Sequence, residues 1–169
     1  MLNAEMTILI EQNTVGCVAT VTTDGRPAVS PKGTFIVVDD TTIAFSHIRS
    51  LGTVKNIQAG SGAVEVNFLD ILRRKACRVR GHATYASMNA GMPRLVERFT
   101  AMWPDLAPLM HGIVTIDIDH AELLTSPTYD IGGDTDELMD HWIRQYADLA
   151  GYTVVKRPEV GAPSTASEH

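Results

Sequence analysis

Two spacings of apolar residues divide the chain into helices and strands. Near the start, Leu2, Met6, Leu9 and Ile10 fall at i, i+4, i+7 and i+8, one face of a short helix, with Asn3 placed to cap it. Three further segments carry helix signals. Leu51 to Ala59 is closed by Gly60-Ser61-Gly62, and Pro93 to Met102 opens on a proline suited to a first turn. Thr135 to Leu149 sets Leu138, Trp142, Tyr146 and Leu149 on one face. Between these helices the period drops to two. Val15 to Thr22 is rich in β-branched residues and ends at Thr23-Asp24-Gly25-Arg26-Pro27, a hairpin signal. The returning strand, Ala28 to Val38, is interrupted at Ser30-Pro31-Lys32-Gly33, where a missing ladder donor and a relaxed backbone predict a bulge or an edge. Thr42 to Ser46 follows as a third strand. Val64-Val66-Phe68, then Cys77-Val79-Gly81-Ala83, then Val114-Ile116-Ile118 alternate with polar neighbours and supply three more.

Six strands joined mostly by short turns, with helices at corners and ends, predict an all-β fold with peripheral helices. A β-barrel buries such strands without open edges, and the absence of regular strand–helix alternation argues against a parallel sheet. The pattern gives one domain over residues 1–156. From residue 157 to 169, Pro158, Gly161, Pro163, Ser164 and Ser167 read as a flexible tail.

Composition narrows the class. The 169 residues are 44% hydrophobic and 20% charged, and mean hydropathy is +0.01, a globular profile. No apolar run approaches the ~20 residues that span a bilayer, and no basic region precedes an apolar stretch at the N-terminus, so a cytoplasmic protein is expected. Cys17 and Cys77 lie in apolar strand segments without a CxxC spacing and read as small buried hydrophobes. A net charge of −6 argues against general nucleic-acid binding, and neither nucleic acid nor a membrane is expected as a partner. The cations are nevertheless clustered. Arg73, Arg74, Lys75, Arg78 and Arg80 place five of the 14 cations within eight residues, and Arg49 and Lys55 sit beside Ser50, Thr53 and Asn56. Such clusters on an acidic chain suit a small anionic ligand better than a polymer.

Familiar chemical motifs are absent. Gly60-Ser61-Gly62 follows a helix and lacks a third glycine, Pro31-Lys32-Gly33-Thr34 is not a nucleotide-phosphate loop, and no GxSxG elbow occurs. His47, His82, His111, His120, His141 and His169 never fall at metal-ligand spacing, so no metal is expected. What remains is Phe45-Ser46-His47-Ile48-Arg49-Ser50, which leaves a strand and enters the helix bearing Thr53, Lys55 and Asn56. Hydroxyls, an amide, two cations and free N–H groups at a helix start can satisfy a phosphate dianion, although an ordinary capped helix with solvated cations gives the same pattern. Arg78 and Arg80 share a strand face that could serve a ligand or solvent equally. Trp142 and Tyr146 suit core packing or a subunit contact, or else ring stacking on a ligand.

The segments Val15–Gly25, Val29-Ser30-Pro31-Lys32-Gly33, Phe45-Ser46 with Arg49-Ser50, and Arg78-Val79-Arg80-Gly81 together resemble the pyridoxamine 5′-phosphate oxidase-like, FMN-binding split-barrel family in order and spacing. The resemblance covers about residues 5 to 125. It implies a six-stranded antiparallel split barrel, a homodimer with FMN at the interface, and oxidoreductase chemistry between a nicotinamide donor and a small molecule. By that resemblance the strand carrying Val29 to Lys32 would run along the flavin ring, with Lys32 facing the ring or substrate and Gly33 a further cofactor contact. Ser46, Arg49, Ser50, Lys55 and Asn56 would hold the phosphate, with Thr53 on the same helix and Arg78 and Trp142 as further contacts. The substrate motifs of the vitamin-processing oxidases do not carry over. Ala76 stands where they have glutamine, Arg80 where they have glutamate, and no Arg-Pro follows Tyr85. A non-catalytic flavin-binding sensor or storage module, or the same barrel with a deazaflavin coenzyme or haem, are the alternatives.

Overall fold

The computed structural model describes residues 1–155. Seven strands form one antiparallel sheet: β1 (Gly16–Val21), β2 (Pro27–Lys32), β3 (Phe35–Asp39), β4 (Thr42–His47), β5 (Ala63–Asp70), β6 (Lys75–Ser87) and β7 (Gly112–Thr125), in the order β2-β1-β5-β6-β7-β4-β3. Four helices surround it: α1 (Ala4–Gln12), α2 (Leu51–Ala59), α3 (Pro93–Met102) and α4 (Thr135–Leu149). The expected tail begins beyond the described residues.

The strand count is seven, not six, because the expected strand from Ala28 to Val38 divides at Gly33-Thr34. Its halves occupy opposite edges of the sheet. Lys32 and Phe35 are three residues apart, so at ~3.8 Å per Cα step the two edges must converge there. They do not pair, and the sheet is a barrel split along one seam. Among the described residues edge strand β2 therefore pairs with β1 alone, Gly16 opposite Lys32 through Val21 opposite Pro27. The hairpin joining β1 and β2 turns on Gly25, whose φ of +80° favours a residue without a side chain.

Inside the barrel the rings of Phe35, Phe45 and Phe68 meet, with centroids 5.1 and 4.7 Å apart for the two pairs that include Phe35. Val18, Val66, Val79, Val114 and Ile116 complete this core, with Leu2, Met6, Leu9 and Ile10 of α1 and Val54 and Ile57 of α2. The Asn3 side chain accepts the Met6 N–H at 2.9 Å, so the expected cap starts α1. On the outer side of β3, β4 and β7, Ile36, Ala44 and Ile113 form a second core with Phe99 of α3. Strand β4 is accordingly buried on both faces.

Two further expectations change. Strand β7 runs to Thr125, well past the expected Val114-Ile116-Ile118 alternation, because pairing with β6 continues through Arg78–Glu122 to Lys75–Thr125 past a bulge at Arg80/Gly81. Cys77 is buried and its thiol is pushed up to about 11 by burial, but Cys17 is exposed on the outer face of β1. Among the described residues no helix is long and apolar enough to cross a membrane.

Candidate functional site

Two adjoining cavities of about 260 and 290 Å³ lie where edge strand β2 meets the start of α2. Thr20, Thr22, Ala28, Gly52, Thr53 and Asn56 line the first, and Pro31, Gly33, Thr34, Ser46, Ile48 and Leu106 line the second. Ser30, Lys32, Arg49 and Ser50 line both, which makes them one cleft with a shared cationic wall. Either cavity alone is small for a cofactor.

The elements present these groups for local reasons. On β2 alternation points Ala28, Ser30 and Lys32 inward and Val29 and Pro31 outward. The seam leaves the outer main-chain groups of this edge strand without a strand partner. Ser50 is the N-cap of α2, yet its hydroxyl makes no capping hydrogen bond. The first N–H groups of α2 therefore have no protein acceptor among the described residues. Asn56 donates to Thr20 Oγ1 at 2.9 Å, tying α2 to β1. Deeper in, Thr34 and Ser46 share a buried hydroxyl contact of 2.8 Å.

Electrostatics sharpen the site. Among the described residues no acidic side chain lines either cavity, although the whole chain carries a net charge of −6. Lys32 is only 8% exposed; its ammonium donates to Ser30 Oγ and meets no carboxylate among the described residues. Burial holds its pKa below the ordinary lysine value. Such an arrangement stabilises an anion by cations, hydroxyls and an uncapped helix start at once.

Of the residues singled out from the sequence, Ser30, Pro31, Lys32, Gly33, Ser46, Arg49, Ser50, Thr53 and Asn56 come together in this cleft. Four do not line it. Val29 is 67% exposed on the far face of β2, and Lys55 is exposed on α2. Arg78 lies on the outer face of the sheet, donating to Glu122 Oε1 at 2.9 and 2.7 Å. Trp142 of α4 lies under the Arg74 guanidinium, 4.2 Å from its ring centroid. The dense run of cations is largely neutralised within the chain: Arg73 meets Asp70, Lys75 meets Glu5, and Arg80 meets Glu65.

Sequence reasoning missed Thr20, Thr22, Thr34, Gly52 and the buried His47. A signal existed for Thr20, a polar residue in the inward phase of β1. His47 lines neither cavity; it is buried at the end of β4, behind the cleft-lining Ser50. Its Nδ1 accepts the Ser50 N–H at 3.1 Å, and its ring packs 5.7 Å from Tyr85 and from His111.

Comparison with known proteins gives this geometry a context. The family model described as pyridoxamine 5′-phosphate oxidase matches residues 2–124, a stretch that includes every cleft-lining residue. HupZ of Group A Streptococcus is 25% identical in its crystal structure, with a TM-score of 0.64 over 75% of this chain and 96% of that one. An FMN-binding protein from Syntrophomonas wolfei subsp. wolfei is 16% identical, with a TM-score of 0.58 over 72% of this chain and 84% of its own. An F420 reductase is 21% identical, with a TM-score of 0.56 over 72% of this chain and 98% of its own. The last two share the fold alone. No curated protein matches in sequence.

Proposed function

This chain belongs to the pyridoxamine 5′-phosphate oxidase family, and from that premise we propose that it is an FMN-binding flavoprotein of oxidoreductase type. The observation that carries this reading is the uncapped start of α2 beside Lys32 and Arg49, in a cleft where, among the described residues, neither cation has a carboxylate partner and no acidic side chain lines the walls. The phosphate of FMN is a dianion at neutral pH, and this donor set suits it better than it suits a neutral or cationic ligand. The donors fit the group: Arg49, Ser50, Thr53 and the first N–H groups of α2 would hold the phosphate. Lys32 and the free main-chain edge of β2 would face the ring. When bound, FMN supplies hydride or electron transfer between a nicotinamide donor and a small molecule.

The chain's own residues would bind and orient. No side chain of the cleft stands out as a general acid or base, so the protein's part is to supply donors, charge and an apolar wall. That wall is incomplete in one copy. Val29 is 67% and Leu51 77% exposed, each next in sequence to a cleft-lining residue. A homodimer would cover both and close the ring site at its interface. Arg78 and Trp142, which line neither cavity of their own chain, would reach a flavin only across that interface. Purification followed by a visible spectrum and mass identification of the released chromophore tests the proposal. FMN supports it, and a colourless protein that takes up no FMN contradicts it.

A further inference from the structure

We propose that neutral His47 is the positioning residue of the anion cradle, holding the Ser50 main chain so that α2 turns its first N–H groups toward the ligand. The inference deepens the phosphate reading above and rests on it.

Ser50 N–H donates to His47 Nδ1 at 3.1 Å, and His47 and Ser50 are 4% and 5% exposed. An imidazole nitrogen that accepts carries no proton, so in this arrangement the ring is neutral with its hydrogen on Nε2. Two aromatic neighbours and the main chain hold the ring. Tyr85 and His111 pack against it at 5.7 Å, and the His111 N–H donates to the His47 carbonyl at 2.8 Å. The bond also explains the unusual cap. A serine at this position ordinarily spends its hydroxyl on an amide of the first turn; here the imidazole anchors the Ser50 backbone from outside the helix. The Ser50 hydroxyl and the first amides of α2 are left for the cavity.

Protonation at Nδ1 would remove the acceptor and break this anchor. The titratable groups facing His47 are Lys32 from β2, His111 from the turn before β7 and Tyr85 from β6, with no carboxylate among them. Burial first, then His111 and Lys32, hold the His47 pKa below the ordinary histidine value. The ring thus keeps the cradle shaped at neutral pH, and acid disorders it.

The test is FMN affinity of the full chain by calorimetry at about pH 7.5 and about pH 4.5, the lower value set well beneath the ordinary histidine range because burial depresses His47, for wild type, His47→Asn and His47→Leu. The Asn amide oxygen is attached where Nδ1 is, accepts the same N–H and does not titrate. His47→Leu should bind FMN about tenfold more weakly at the higher pH, the worth of one buried hydrogen bond, with its circular dichroism unchanged. His47→Asn should restore wild-type affinity and lose less of it in acid than wild type does, which subtracts the titration of FMN itself. If His47→Leu binds as wild type does, or His47→Asn is as weak as His47→Leu, the inference is overturned while the phosphate reading stands. If wild type binds no FMN, the phosphate reading falls and takes this one with it. Nitrogen-15 spectra of the free protein give an independent readout, and a proton on Nδ1 at neutral pH would overturn the inference without any ligand.

Discussion

The Lys32 ammonium donates to Ser30 Oγ across one turn of the β2 pleat, and no carboxylate among the described residues offsets its charge. A buried cation with one neutral acceptor is costly to the free protein and useful to an anion-binding one. Lys32→Met should therefore raise the melting temperature of the ligand-free protein and weaken FMN binding by ~10–100-fold, the loss of a charge-assisted hydrogen bond. The pH dependence has a definite sign. Because the folded pKa is depressed, the penalty is present in full below that folded value and is relieved as pH rises toward the ordinary value of 10.5. Wild type should gain stability over that alkaline window relative to Lys32→Met, as thermal melts across pH will report.

Arg49→Ala should weaken FMN binding by roughly 1.5–3 kcal/mol and leave the fold untouched, because Arg49 is exposed and bears no ion pair among the described residues. Calorimetry reads the first effect and a melting curve the second. An unchanged dissociation constant would remove Arg49 from the site.

Asp70 ties the turn between β5 and β6. Burial raises its pKa, but the Arg73 N–H and guanidinium and the Leu72 N–H overcome that and leave it below the usual carboxylate value. Asp70 Oδ1 accepts from Leu72 and Arg73 main chain at 3.0 and 2.9 Å, and Oδ2 from Arg73 Nη1 at 2.8 Å. Asp70→Asn should cost about 1–2 kcal/mol at neutral pH. With a depressed folded pKa, this contribution is full above the unfolded value of about 4 and vanishes as pH falls through the folded one. Wild type and variant should therefore converge in stability in strong acid.

Gly81 stands at the β6–β7 bulge, where an added Cβ would lie 2.1 Å from the Asp117 carbonyl oxygen. Backbone cannot swing aside as a side chain can. Gly81→Ala should destabilise by about 1–3 kcal/mol and shift the register that carries β7 to Thr125. Chemical denaturation measures the loss.

The helices were readable from the sequence because each carries its own punctuation: Asn3 before α1, Gly60 after α2, Pro93 at the start of α3. The strands were readable in kind and less so in extent. Nothing local tells that Gly33-Thr34 carries the chain from one sheet edge to the other, since that depends on the strands between. The polar stretch from Asp117 to Glu122 hides the end of β7, which distant pairing with β6 supplies. The cleft followed the same division. Arg49, Ser50, Thr53 and Asn56 lie close in sequence around one helix start, whereas Asn56 reaches Thr20 across 36 residues, a contact with no sequence signature. A single buried histidine such as His47 has none either.

The most direct measurement is a paired calorimetric titration of the ligand-free protein with FMN and with riboflavin, which differ by the phosphate alone. If the α2 start with Arg49, Ser50 and Thr53 is a phosphate cradle, FMN should bind at least ~100-fold more tightly, two charge-assisted hydrogen bonds or more. Equal affinities, or no binding of either, would contradict it.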